Sequence, residues 1–182
     1  PALVGNIYIN SNVKFELFCL AVEPLVGLFA EFHFKVRGNF GAQCIGYLNS
    51  LELKNCKTYQ SLDSKNWVYA TTEMITHVES ETIFIFLEDH LAIASGDVIA
   101  SVLADCQKNK FDYLNYSFFN AAALQRENVL PLNPVFHKET FSIFLDDVKN
   151  RTLSQISPKF FLFGLTAIVS KKFFIGLLQR HN

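Results

Sequence analysis

One stretch constrains the fold more than any other: Glu81 to His90, ETIFIFLEDH. Five large apolar residues, Ile83 to Leu87, run unbroken and stop at Glu88, Asp89 and His90. A short run of β-branched and aromatic residues bounded by polar ones is the pattern of a strand buried on both faces. Such strands form the middle of parallel sheets covered by helices. In open α/β sheets ligands bind at the carboxyl ends of strands, where these acids fall. The run therefore predicts a core strand over 82–87 that delivers two carboxylates and an imidazole to the mouth of a cleft. A strand ending in a solvated polar turn fits the same residues, since polar strand ends are common.

A sheet of this kind needs a large core, and the composition supplies one. The chain has 182 residues, half of them apolar and 18% charged, which suits one folded domain. The 19 Phe residues imply an aromatic-filled interior or an apolar surface that meets a partner. Net charge is −1, with no basic run, which argues against nucleic acid as a partner. Cys19, Cys44, Cys56 and Cys106 show neither C-x-x-C nor zinc-finger spacing. Three of them lie within apolar patterns, so a reduced, cytoplasmic setting fits, with a disulfide left open. No signal peptide opens the chain. Its most apolar stretches, 17–30 and 160–178, are interrupted by Glu23-Pro24 and by Ser170-Lys171-Lys172. Each uninterrupted piece is shorter than the roughly 20 residues of a spanning helix. The Phe-rich end leaves peripheral membrane contact open. The start at Pro1 and the stop just after an apolar helix are read as a piece of a longer protein.

Along the chain, VKFELFCLAV (13–22) reads as a first buried strand, ended by Glu23-Pro24 because proline cannot continue a central ladder. Residues 31–37 read as a second strand. The turn signal Gly38-Asn39-Phe40-Gly41 and a helix over 42–51 follow. A weaker third strand spans 55–61. Asp63 or Ser64 can cap a helix over 66–79 carrying Trp67, Ala70, Met74, Ile75 and Val78 at helical spacing. The strand at 82–87 comes next, then a helix from Ser95 or Asp97 to Lys108 and a fifth strand over 111–116. This alternation predicts a three-layer α/β/α fold with a central, mostly parallel sheet. The order weakens over 117–139, a length of loop that is often functional. Thr140 to Val148 fits strand or helix, Phe160 to Val169 a strand, and Lys171 to Gln179 a closing helix.

The common phosphate cradles and hydrolase motifs are missing: there is no G-x-x-x-x-G-K-[ST], G-x-G-x-x-G, G-x-S-x-G or H-E-x-x-H. The turn at Gly38 to Gly41 could hold an anion at a helix N-terminus, although such turns are mostly just turns. What remains is Glu88-Asp89-His90. Two carboxylates and an imidazole suit Mg²⁺ or Mn²⁺, the imidazole favouring Mn²⁺. A hard cation there would bind a diphosphate and stabilise charge on a leaving group, the chemistry of nucleotide-sugar transfer.

A strand I-F-I-F-L ending in E-D-H, preceded by a W-x-x-A-x-x-x-M-I helix, resembles the GT-A glycosyltransferases, most of all their family-2-like members. The segment FGLTAIVSKKFF (163–174) is similar to the family's acceptor-side stretch. The resemblance spans roughly 13–178. It implies a single GT-A-like domain over 1–182, with a nucleotide-binding half over 13–116 and an acceptor-side half over 117–182 that is incomplete at its C-terminus. It implies a nucleotide-diphosphate sugar as donor, a saccharide or lipid-linked acceptor, and a Mn²⁺ or Mg²⁺ cofactor. By position, Asp89 would be the principal metal or diphosphate contact, His90 would stand where a second acid is common, and Glu88 would approach the ribose or the metal. Glu23 and Asn39, at the ends of the first two strands, would flank base and ribose, and Asp63 would touch the base. Trp67 fits the helix stripe and reads as core. Two departures stand out. Thr71 and Thr72 occupy the helix that usually carries an Asn or Arg for the nucleotide. No catalytic base is obvious, and Asp147, beside Asp146, is the downstream candidate, with a solvated turn as the alternative. His33, His77, His137 and His181 read as surface or internally satisfied histidines.

Two other functions stay in view. A sugar nucleotidyltransferase would need a Gly-rich loop with a Lys or Arg right after the first strand, and AVEPLVGLF lacks one. A degenerate α/β binding or assembly domain would explain the Phe content and the missing base.

Overall fold

The apolar run at the middle of the sequence is also the middle of the sheet. The computed structural model describes residues 1–60, 67–88, 94–115, 125–156 and 167–180. Its main sheet joins β1 (Ala2–Tyr8), β2 (Glu31–Arg37), β3 (Cys56–Gln60), β4 (Thr82–Phe86), β5 (Tyr113–Asn115) and β8 (Ala167–Ser170) in the order β3-β2-β1-β4-β8-β5. β1 pairs in parallel with both β2 and β4, and β2 with β3. β8 runs antiparallel between β4 and β5. The expected mostly parallel sheet flanked by helices is therefore what the chain forms.

Each strand alternates its side chains between two helical layers. In β4, Phe84 and Phe86 face α1 (Asn12–Val22), α2 (Gly41–Ser50) and α4 (Gly96–Asn109), in a core with Phe18, Phe34, Leu48 and Leu103. Ile83 and Ile85 face α3 (Trp67–Ile75) and α7 (Lys171–Gln179), with Met74, Ile75, Phe174 and Leu178. The Phe content fills the first layer. Phe18 stands edge-on to Phe34 and Phe86 with ring centroids 6.1 and 6.0 Å apart, a favoured aromatic geometry. Gly5 of β1 lies beneath these rings. A Cβ there would sit 3.0 Å from Phe34 and 3.1 Å from Phe86, so the crowding accounts for a glycine in a central strand.

Two elements differ from the sequence expectation. Residues 13–22 are helix, not strand, and the first strand is Ala2–Tyr8. The apolar run VKFELFCLAV showed no helical period, yet Ser11 caps it: its Oγ accepts from the Lys14 amide at 3.3 Å. Glu23-Pro24 then opens a 3₁₀ turn, Glu23–Leu25, with proline tolerated in its first positions. The segment 140–148 holds both options that were open. β7 (Phe141–Ser142) pairs antiparallel with β6 (Val135–Phe136), and α6 (Asp147–Ile156) starts at its end. A short α5 (Arg126–Val129) precedes them. The remainder of the strand expected from Phe160, before Ala167, lies outside the described residues, as does 117–124. Among the described residues no helix is long and apolar enough to cross a membrane. All four cysteines are free thiols, so the disulfide left open does not form.

Candidate functional site at the carboxyl edge of the sheet

The parallel strands β1, β2 and β4 all end at one edge, and the connections there carry the polar groups. Tyr8 and Arg37 are register partners at the ends of β1 and β2. After Arg37 the chain turns at Gly38, whose φ of +94° a side chain would resist. A Cβ at Gly38 would lie 2.3 Å from the Ile9 carbonyl oxygen. That close approach allows the Ile9 amide to donate to the Arg37 carbonyl at 2.9 Å and the Phe40 amide to the Ile9 carbonyl at 3.2 Å. The two strand ends are thus tied together, and α1 and α2 both begin at this edge.

Around that tie stand, among the described residues, Lys14, Arg37, Tyr8 and Glu88. The Lys14 ammonium lies 6.0 Å from the Tyr8 ring centroid, and the Arg37 guanidinium carbon 5.8 Å from it. Arg37 is 8% exposed, while the Tyr8 side is open at 37%. Lys14 also pairs with Glu88, Nζ to Oε1, at 3.7 Å. Beneath, Asn6 of β1 is 7% exposed, and its Nδ2 donates to Thr71 Oγ1 at 2.9 Å and to the Trp67 carbonyl at 3.2 Å. A carbonyl accepts only, so the amide orientation is fixed. The Asn6 Oδ1 acceptor meets no hydrogen-bond donor among the described residues.

The expected site residues distribute as follows. Glu88 sits at the end of β4 on this edge, mostly buried, against Lys14. Asn39 is exposed between β2 and α2, on the same edge. Glu23 is not at a strand end: it caps the far end of α1, exposed, where the chain heads back toward the amino end of β2. An 11-residue helix is about 16 Å long, so Glu23 stands roughly that far from the turn that opens α1. The premise for its base contact falls with the strand. Asp63, Asp89 and His90 lie outside the described residues. Asp147 is exposed in the first turn of α6, and Asp146 before it caps that helix, accepting from the Lys149 amide at 2.9 Å. The helix start replaces the solvated turn. Thr71 and Thr72 are bound within α3, donating to the Trp67 and Val68 carbonyls at 2.7 and 2.8 Å. Trp67 packs against the core as expected. The grouping of Tyr8, Lys14 and Arg37 was missed because 2–8 was not read as a strand and 13–22 was not read as a helix, so nothing brought these residues to the end of the strand 31–37.

At the opposite, amino edge lies a cleft of about 470 Å³ lined by Glu31, Asn55, Cys56, Lys57, Glu79 and Ser80. Its polar groups are already engaged in structure. The Glu31 carboxylate accepts from the Ser80 amide at 2.6 Å, from the Glu79 amide at 3.1 Å and meets His33 Nε2 at 2.8 Å. Burial alone would push this carboxyl up, but bonds from Ser80, His33 and the Glu79 amide hold it down to about 2. Burial lowers the His33 pKa, against the pull of Glu31. His33 and His77 both stack on the Tyr59 ring, with centroids 6.3 and 5.8 Å away. His33 is thus internally satisfied, and so is His137, whose Nε2 meets Ser142 Oγ at 3.0 Å. The cleft's size does not make it the site, because the carboxyl ends of the parallel strands are at the other edge.

Glu88, Asp89 and His90 fit Mn²⁺ or Mg²⁺ in donor type. Among the described residues, which include only Glu88 of the three, no group of three candidate ligands comes together.

No protein-family model matches the chain, and no curated protein does. Among solved structures it is similar to the mannosyltransferase PcManGT from Pyrobaculum calidifontis, in complex with GDP-Man and Mn²⁺, with 12% identity and a TM-score of 0.52 over 78% of this chain and 44% of that one. It is also similar to S. aureus TarS 1–349, with 12% identity and a TM-score of 0.47 over 63% of this chain and 35% of that one. The chain spans less than half the length of either structure. The likeness to the mannosyltransferase shows the fold: this is an α/β protein with a glycosyltransferase-like sheet.

Proposed function

We propose that the chain is a glycosyltransferase domain that binds a nucleotide-diphosphate sugar at the carboxyl edge of its sheet and passes the sugar to a saccharide or lipid-linked acceptor. One observation carries the reading: β4, buried on both faces between β1 and β8, ends at Glu88 on the edge where Lys14, Arg37 and Tyr8 converge. A mannosyltransferase of like fold, bound to GDP-Man and Mn²⁺, supports it.

In this reading Asp89 and His90, just past Glu88, hold Mn²⁺ or Mg²⁺, and the ion supplies charge neutralisation at the diphosphate leaving group. Asn39 borders the nucleoside, and Asp63 contacts the base. Asp147 is the candidate base that takes the acceptor's hydroxyl proton. Residues 1–182 act as one domain, with the nucleotide on the earlier half and the acceptor against the later one. The loop after β1, Ile9-Asn10-Ser11, contains no glycine, so the corrected first strand still lacks a nucleotidyltransferase loop.

Thermal unfolding with UDP, GDP or GDP-mannose, each with Mn²⁺ or EDTA, tests the reading. At least one nucleotide at a hundred times its Kd should raise Tm by about 5 °C or more. Asp89→Asn should abolish the Mn²⁺-dependent part of that rise, and Asp147→Asn should lower sugar transfer with nucleotide binding intact. No stabilisation by any nucleotide would refute sugar transfer.

A further inference from the structure

We infer that the face formed by β6, β7 and the start of α6 is a self-association surface, on which a second copy of this chain packs about a twofold axis. The inference goes beyond sugar transfer and stands without it.

The observation that carries it is Phe144. It is 85% exposed, and Val148, four residues on, is 71% exposed, the two highest values for a large apolar side chain among the described residues. Ile143 and Leu145, on either side of Phe144, pack inward on Leu132 and Leu153, so the chain alternates as a half-buried strand does. The outward position in such a strand ordinarily carries a polar residue, and here it carries a phenylalanine. Val135, 59% exposed, pairs with Ser142, two residues before Phe144, so strand alternation puts Val135 and Phe144 on one face. Leu130 and Ile156 are also exposed, each within a few residues of the Leu132–Leu153 cluster. Among the described residues β6 and β7 pair only with each other. Neither a charge nor a proline interrupts 141–145, FSIFL, although exposed sheet edges are ordinarily blunted that way.

Area and charge fit a second copy. Scaled by exposure, Phe144, Val148, Val135, Leu130 and Ile156 offer about 400 Å² of apolar surface. One side of a standard homodimer interface buries about 800 Å², roughly two thirds of it apolar, or about 500 Å². A twofold axis sets equal surfaces together and so disfavours a net charge on them. Residues 135–156 carry Lys138, Lys149 and Arg151 against Glu139, Asp146 and Asp147, three of each sign. An anionic partner would call for an excess of bases there. The face is also held in place. Asp105 of α4 accepts from the Glu139 amide at 2.9 Å and from Thr140 Oγ1 at 3.2 Å, and Lys138 donates to Ser101 Oγ at 3.0 Å. These contacts fasten the β6–β7 turn to α4, so little ordering is left for association to do. Asp147 lies about 100° round α6 from Val148, and the pairing does not require it.

Sedimentation velocity of the whole chain, without nucleotide or metal, tests the surface across about 1–100 µM. Species of one and two chain masses should exchange with concentration. Phe144→Ser and Val148→Ser should each weaken the dimer by about tenfold or more, while Phe144→Leu should keep most of it. Both serine variants remove side chains that lie in solvent, so their thermal unfolding should match the parent's where all are monomers. Raising NaCl from about 0.05 to 0.5 M should change the association less than about twofold, since the patch has no net charge. A monomer at every concentration overturns the inference, as does a dimer that neither serine variant weakens. A monomer that floats with phosphatidylcholine vesicles, and loses them in Phe144→Ser, overturns it too and gives the face to a bilayer. Each of these results leaves the nucleotide-binding test of the proposed function untouched.

Discussion

Glu31 shows how much one side chain can settle. It sits at the start of β2 and binds the backbone amides of Glu79 and Ser80, just before β4. It thus fixes the entry of the central strand from 48 residues away in sequence. A carboxyl held at about 2, against 4.5 when unfolded, corresponds to about 3 kcal/mol of stability. The sign follows from a lowered pKa: this stability is present above about pH 4.5 and is lost as pH falls toward 2. His33 adds to the same slope from higher pH. Its pKa is lowered by burial, so the unfolded chain takes up its proton first once pH drops below 6.5. Urea unfolding from pH 7 to 3 should show stability declining throughout, and Glu31→Gln should cost about 3 kcal/mol at pH 7 while flattening the acid limb. The network was not legible in EFHFKVR, because its partners are backbone amides from a remote turn. Thiol chemistry is similarly set by burial, which pushes Cys44 and Cys106 up to about 12. Both should resist a thiol reagent at pH 8 until denaturant is added, when all four cysteines react.

Among the elements, α2, α3, α4 and α7 were readable, and β8 as far as Val169 fell within the strand expected there, whereas β1, α5 and most of α6 were not. α2, α3 and α4 carry apolar residues at helical spacing and lie where that spacing predicted. α1 is apolar nearly all round, with Val13 and Leu20 exposed beside buried Phe18 and Val22, so periodicity could not separate it from a strand. Its length could: ten residues exceed most strands, and Ser11 stood ready as a cap. β1 was hidden by Gly5 and Asn6, which weaken the strand pattern for reasons visible only in space. One is crowded by two Phe rings and the other ties the start of α3. The β1–β2 tie makes a prediction at this scale. Gly38→Ala forces a side chain into left-handed backbone against the Ile9 carbonyl and should cost about 3 kcal/mol. Gly46→Ala, in the exposed face of α2 with no atom near its would-be Cβ, should instead stabilise by about 0.5–1 kcal/mol. Chemical denaturation of the two variants reads the contrast directly.

At the scale of the whole molecule, the sheet is stitched from both ends of the chain. The β-α-β alternation made the parallel half legible, because each crossover is local in sequence. The insertion of β8 between β4 and β5 was not, since AIVS could pair anywhere and nothing nearby fixes its direction. Its consequence is that the central strand is central only because residues 167–170 cover its other edge. β8 and α7 also supply Ala167, Val169, Phe174 and Leu178 to the core beneath Ile83 and Ile85. The geometry at Glu88 thus depends on residues 167–179, far along the chain from β4. Chain 1–115 alone would leave the β4 edge unpaired, strand β5 without its neighbour and one face of the sheet half bare. It should show no cooperative thermal transition and should bind an apolar dye. Adding residues 116–182 in trans should restore a cooperative transition by returning β8 to its slot. Cooperative unfolding of 1–115 by itself would mean that the parallel strands close their own core, and that β8 decorates the sheet without completing it.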